Sequence, residues 1–533
     1  MRFVSSLTSI SLVVLPLLTG STAFAATLQV GPGKTFGAPC DAIKAASDGD
    51  IIEIDASGTY KGDVCAVTRN NLTLRGVGGR ATIDANGAHH GGKAIWVITG
   101  ANVVVENIEF LGAKVPDRNG AGIRQEGKNL TVRGCYFHDN ENGILTSADS
   151  ESEILIESTE FAHNGYGDGQ SHNLYIGHVK RLTFQFNYSH HAKIGHLLKT
   201  RAAENYILYN RLTGESGNQS YEIDVPNGGL TYIIGNLVHQ GQNTDNSSML
   251  SYRREGAHAN NPSQQLFVVH NSFVSDRNTG IFLNVDPGVS PPAVVRNNIF
   301  MGKGTIVTQT NADVSGSFEG DPGFVDKDGF DYRLSPGSPA ENAGVAPGTG
   351  AGFDLTPTHH YVHPLGAEGR VTVGAIDIGA YEIGESAGSG GSAGAGGGAG
   401  AGGEGGSAGS AGSGGSAGSG GSGGTGGSAG SGGGAGSGGT AGSGGSAEAG
   451  AGGEGASAGT GGKSESGGSG GSGGKAGSSN AASAASSDAE DDEGCGCRVA
   501  HSPAVPWSWA IVVGMMGLAW IRKRKTQGSR TRV

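Results

Sequence analysis

The chain of 533 residues carries 48 acidic and 36 basic side chains, for a formal net charge of −12. With that balance and no basic stripe before the extreme C-terminus, nucleic acid is excluded as a partner. Its 102 glycines are crowded into one late block, so the folded region is shorter than the chain.

In chain order, residues 1–25 come first: a basic residue, an apolar run and small residues at Ala23 and Ala25. This is the pattern of a secretory signal peptide. The stretch "CDAIKAASDGD" follows, with Ile43 and Ala46 at helical spacing, and is expected to form a short amphipathic cap. In the oxidising compartment a signal implies, Cys40 and Cys65 are the natural disulfide pair, while Cys135, in "NLTVRGCYF", reads as a small core residue.

From 26 to 384 one phrase repeats: alternating apolar residues, a small or amide residue, then an apolar or aromatic one. It appears in "NLTLRGV", "NVVVENIEF", "ILIESTEF", "LTFQFNY", "YIIGNLV" and "AVVRNNIF". Taking Val77, Asn107, Cys135, Thr159, Asn187, Asn210, Asn236, Asn271 and Asn297 as equivalent, the steps run from 23 to 35 residues. Period-two alternation with no room for packed helices makes each phrase a strand, and strands recurring at this interval stack by winding as a solenoid. The fold class is therefore all-β, a right-handed parallel β-helix of nine or ten coils. Stacked asparagines are expected to hydrogen-bond along its axis.

A second strand precedes each phrase: "HNLYIG", "GHLLKTR", "SYEIDV", "MLSYRRE". With Leu198 inward, Lys199 and Arg201 point out; with Tyr221, Ile223 and Val225 inward, Glu222 and Asp224 point out. A coil of 23 residues, as from Asn187 to Asn210, sets Lys199 beside Glu222 and Arg201 beside Asp224. Neighbouring coils add His172, Tyr175, His178, His190, His191, His196, Arg253, Arg254 and Glu255, whereas most other outward positions read as Ser, Thr, Asn or Gly.

One reading is a salt-bridge ladder. The other is a groove for an acidic polysaccharide or cell-surface glycan, in which Arg201 and Arg253 bind carboxylates, and Tyr175 and His172 contact the sugar. Lys199 or His196 would then take the proton beside a uronate carboxylate. Glu222 and Asp224 would hold Ca²⁺ to neutralise that carboxylate. Whether the protein is an enzyme of this lyase or epimerase kind or a non-catalytic adhesion or carbohydrate-binding module stays open at this point.

Towards the end of the repeats, "DPGFVDKDGFDYRLSPGSPAENAG" and "GAIDIGAYE" resemble the closing segment of β-helix proteins of the pectin-lyase-like superfamily. The cation and carboxylate pairs are similar in residue type to those of its pectate and alginate lyases. The Asp-Pro-His motif of mannuronan epimerases is missing. Asp326, Asp328 and Asp331 lack EF-hand spacing and are expected to form a turn.

Residues 385–487 are nearly all Gly, Ser and Ala. They cannot bury enough apolar surface to order themselves and read as a disordered tether, about 50–60 Å end to end. Residues 488–533 follow, with "GCGC", an apolar transmembrane stretch at about 504–521 and a basic end. This order resembles the MYXO-CTERM sorting tail of surface proteins, which would make Cys495 or Cys497 the anchoring residue. An ordinary single-span anchor gives the same topology. Either way the protein is expected to be secreted and held at the cell surface, with the membrane as its second partner.

Overall fold

The computed structural model describes residues 25–384. The expectations for 1–24, the tether and the C-terminal tail, including Cys495 and Cys497, lie outside these residues. Three parallel sheets of twelve, eleven and ten strands occupy residues 27–319, and the chain visits them in that order and returns one coil later. Each strand pairs with its counterparts one coil before and one coil after.

Alternation decides which residues fill the interior. On the inner face of the twelve-stranded sheet, Ile52, Leu74, Val105, Val132, Ile156, Phe184, Ile207, Ile233, Val268 and Val295 sit one above another. All are buried. On the eleven-stranded sheet the rings of Phe110, Phe137 and Phe161 stack at 4.9 and 5.2 Å. Like sits on like because every coil places the same position over the same wall.

The corner between these two sheets turns on a residue of positive φ, followed by a buried amide. Phe186, Tyr209, Gly235, His270 and Asn297 take the left-handed conformation, and Asn187, Asn210, Asn236, Asn271 and Asn298 come next. The Asn187 and Asn210 amides reach the following rung at 3.0 and 2.9 Å. Asn236 continues to Asn271 at 2.9 Å, and Asn271 to Asn298 at 3.0 Å. Two expected equivalences therefore shift by one residue. Asn107 and Asn297 hold the left-handed corner itself, a conformation asparagine tolerates, and the stacked positions are Ile108 and Asn298. Cys135 occupies a rung near the front; it is fully buried, which raises its thiol to about 12 and leaves it unreactive.

The front is closed by the helix Pro39–Ala45, whose Ala42 and Ile43 pack on the first coil. A disulfide between Cys40 and Cys65 ties it down. The rear differs from a simple closing segment. After the last coil, three antiparallel pairs run back over the outside of the solenoid: Phe324–Asp326 with Asp331–Leu334, Thr349–Gly350 with Phe353–Asp354, and His359–Val362 with Gly366–Gly369. Tyr332 and Tyr361 bury Tyr188, Leu237 and Val274 on the eleven-stranded sheet. Leu355 and Phe353 cover Tyr209, Tyr232 and Phe267 on the twelve-stranded one. Asp326 accepts a hydrogen bond from Gly329 N in the first hairpin turn, at 2.9 Å.

The asparagine stack carries a testable cost. Asn210→Ala leaves the Asn187 amide and the Phe184 carbonyl without the bonds Asn210 supplies. A loss of about 2–4 kcal/mol is expected in urea unfolding, whereas Lys303→Ala, at an exposed position without positive φ, is expected to change stability by less than about 0.5 kcal/mol.

Candidate active site

The outer face of the ten-stranded sheet shows one side chain per coil in register. In order these are Val97, Arg124, Leu145, Tyr175, Lys199, Asp224, Ser251 and Asn284. The expected partnering of Lys199 with Glu222 and of Arg201 with Asp224 is overturned, since Leu198 lies against Ile223 and Lys199 against Asp224. The cause is the corner between the eleven- and ten-stranded sheets. His190 and Thr213 are level, as are Leu198 and Ile223, so this corner is two residues longer in the second coil. The 23-residue step measured at the asparagine corner does not carry over to it.

The extra residues move Glu222 out of the column. It is fully buried at that corner, where Gln219 donates to it at 3.1 Å and Gln240 at 3.3 Å. Tyr221, expected inside, is partly exposed and lies edge-on to His196 at 5.0 Å. Asp224 faces Lys199, His196 and Ser251 instead. The two carboxylates expected to share Ca²⁺ thus have different neighbours. Among the described residues no group of three or more His, Cys, Asp or Glu is arranged to hold a metal ion.

Around Lys199 the arrangement is compact. Its ammonium lies 3.7 Å from Asp224 Oδ2, 3.4 Å from Glu255 Oε1 and 5.4 Å from the centre of the Tyr175 ring. Arg201 donates from Nε to the Tyr175 hydroxyl at 2.7 Å, from a terminal nitrogen to Glu255 Oε2 at 2.6 Å, and also to Asn227. Burial works against the Arg201 charge, and the Tyr175 hydroxyl and the Glu255 carboxylate outweigh it, so its pKa is raised. Burial likewise opposes the Glu255 charge, and Lys199 and Arg201 hold its pKa low. For Asp224 burial prevails over Lys199 and the pKa is raised.

Two stacked histidines back this group. The His172 and His196 rings are 4.4 Å apart, and burial, reinforced by Lys199 and Arg201, depresses both far below the ordinary imidazole range. Both are therefore neutral. His172 Nδ1 accepts the His196 backbone N–H at 3.0 Å, which places the ring proton on Nε2. That buried Nε2 finds no partner among the described residues. His196 Nε2 lies 3.5 Å from Asp224.

Other expected members lie apart. Arg253 has positive φ at its strand end and pairs with Asp286 at 3.1 Å. His190 ends a strand of the eleven-stranded sheet and approaches Glu160, and His191 follows it at positive φ, the two rings in contact. His178, near Arg201, stacks on His258 at 3.7 Å and is pushed down to about 4 by burial. Asn227 and Ser251 were not singled out in the sequence, because nothing in a lone Asn or Ser signals the contact it makes one coil away.

Charge on an outer face is not what distinguishes this cluster. Contrary to the expectation of Ser, Thr, Asn and Gly elsewhere, the twelve-stranded sheet carries Glu53, Arg75, Glu106, Arg133 and Glu157 in one column and Glu153, Arg181 and Glu204 in another. Those side chains are 22–45% exposed, the setting in which a pair contributes about 0–1 kcal/mol. The Lys199 and Asp224 side chains are 2% and 4% exposed. Burying such a pair costs several kcal/mol of desolvation that the attraction barely offsets, so stability alone does not account for it.

A cavity of about 610 Å³ lies elsewhere, between the eleven-stranded sheet and the returning C-terminal segment. Its charged lining is already paired, Arg211 with Glu215 and Arg333 with Asp331. The chemistry of the Lys199 cluster outweighs the size of that seam.

Residues 50–214 match the family described as the right handed beta helix region. That hand agrees with the preference of parallel crossovers. No curated protein matches the chain. Similar solved structures include pectate lyase Pel9A, at 15% identity over 68% of this chain and 97% of that one, with a TM-score of 0.33. An alginate lyase from Paenibacillus sp. str. FPU-7 is similar at 14% identity over 54% and 99%, with a TM-score of 0.34. The A-module of the mannuronan C-5 epimerase AlgE6 of Azotobacter vinelandii is similar at 12% identity over 53% and 94%, with a TM-score of 0.28.

The Glu222 corner yields a pH-dependent prediction. Burial raises its pKa well above 4.5, so the folded protein keeps a proton that the unfolded chain releases. Its contribution to stability falls as pH rises from about 4.5 through the folded value. The Gln219 and Gln240 Oε1 atoms have no partner, and turning either amide lets it accept from a protonated carboxyl or from a glutamine. Glu222→Gln is therefore expected to raise the Tm by about 2–4 °C at pH 8, with the gain shrinking towards pH 4, as followed by calorimetry.

Proposed function

We propose that the outer face of the ten-stranded sheet binds an acidic polysaccharide and moves a proton at the carbon beside its carboxylate, by lyase or epimerase chemistry. The observation that carries this reading is the Arg201–Tyr175 contact at 2.7 Å, with Lys199 over the same ring. A carbon-bound proton beside a carboxylate becomes removable when that carboxylate is neutralised, which a guanidinium does through paired hydrogen bonds. Arg201 supplies the guanidinium. Lys199 and His196, the bases expected from the sequence, are 1% and 4% exposed, with the Glu255 carboxylate over the Lys199 ammonium. Tyr175 is half-buried, and its hydroxyl oxygen sits where a cation stabilises negative charge.

In the elimination branch the Tyr175 phenolate takes the C5 proton. The C–H electron pair forms the C4–C5 double bond, the C4–O bond breaks with its electrons on the departing oxygen, and that oxygen takes up a proton. In the epimerase branch C5 is reprotonated from the opposite face. No step uses Ca²⁺ on Glu222 and Asp224.

The second reading is a glycan-binding or adhesion module without turnover, which the near-complete burial of Lys199 and His196 favours. The Cys40–Cys65 disulfide supports a site of action outside the cytoplasm, with the 488–533 tail as the proposed membrane attachment.

Incubation of the purified protein with polygalacturonate, alginate and glycosaminoglycans in D₂O separates the readings. Unsaturated sugar ends in the ultraviolet, or deuterium entering C5 by NMR, are expected for at least one polymer. Tyr175→Phe is expected to lower the rate at least about hundredfold while binding persists. Binding without either signal on every polymer would establish the module instead.

A further inference from the structure

Two carboxylates touch the Lys199–Arg201 pair, and they differ in kind. Asp224 belongs to the sheet, is 3% exposed and meets Lys199 from within the column. Glu255 comes from the turn after the strand Ser248–Tyr252, and its side chain is 40% exposed. Its two oxygens divide between the cations, Oε1 at 3.4 Å from Lys199 and Oε2 at 2.6 Å from Arg201. The turn is fastened to the preceding coil by Glu255 N to Pro226 O at 3.0 Å, and it uses positive φ at Arg253 and Gly256.

One carboxylate spread across a guanidinium and an ammonium, beside a tyrosine ring, is how the carboxylate of a sugar acid would sit here. The geometry points to Glu255 as a displaceable stand-in: it neutralises Lys199 and Arg201 in the free protein and leaves when the carboxylate of a uronate residue takes its place. This rests on the reading of the face as a site for acidic polysaccharide, and narrows the ligand class to sugars carrying a free carboxylate. Asp224 stays behind to balance Lys199, so the outgoing charge of Glu255 is replaced one for one. An attached competitor of this kind acts at a high effective concentration and weakens the apparent affinity for the polymer.

The test compares wild type with Glu255→Gln in calorimetric titrations against polygalacturonate, alginate and fully methyl-esterified polygalacturonate. The variant is expected to bind at least one free-acid polymer about tenfold more tightly or better, with a steeper dependence on salt. No gain is expected on the esterified polymer. If wild type binds the acids and the variant binds them equally or more weakly, Glu255 is a fixed structural counter-ion and the inference falls while the site reading stands. If neither protein binds any free-acid polymer, the site reading falls and takes this inference with it. Should Glu255→Gln fail to fold, deuterium exchange on the wild type decides. Saturating polygalacturonate is expected to speed exchange across residues 253–260, and unchanged or slower exchange there overturns the inference.

Discussion

Everything in this molecule depends on coils superimposing at fixed register. The backbone ladder fixes the spacing between coils, and the buried asparagine stack fixes which residue meets which at one corner. An amide there both donates to and accepts from its neighbours, so a slipped coil would strand several buried polar groups at once. That corner can therefore tolerate bulky residues in the left-handed conformation, Phe186 and Tyr209 among them, whose rings stack at 5.8 Å on the outside.

The other corners are not so disciplined, and chemistry collects where they vary. The longer turn before Ile223 lowers Glu222 into a pocket of amides and brings Asp224, in its place, level with Lys199. The returning C-terminal segment lies over much of the twelve- and eleven-stranded sheets, and the Lys199 cluster lies on the ten-stranded one. Its column carries Arg124 between the apolar Val97 and Leu145, then Tyr175, the charged Lys199 and Asp224, and the polar Ser251 and Asn284.

The solenoid was legible from the sequence because period-two alternation and a recurring amide survive any variation in turn length. The cap at Ile43 was legible for the same reason, being a local helical pattern. Side-chain neighbours across coils were less so. Lys199, Arg201, His196, His172, Tyr175 and Asp224 do come together, but the pairing of Lys199 with Glu222 rested on a coil length taken from the wrong corner. Arg253 was misplaced because its left-handed backbone, unmarked by glycine, turns it towards Asp286. The charged columns of the twelve-stranded sheet were overlooked since each coil contributes one ordinary Glu or Arg, and only the register makes them a column.

The returning C-terminal segment has a consequence for how the rod comes apart. A plain solenoid unravels from its end, losing one coil at a time. Here Tyr232 hydrogen-bonds Gly350, Tyr209 holds Thr358 and Ser272 holds Ala380. The rearmost windings are thereby stitched to ones several turns ahead, and peeling the last winding first requires undoing contacts near the middle. Such stitching over long sequence separations slows assembly. It also turns a fraying end into part of one cooperative block.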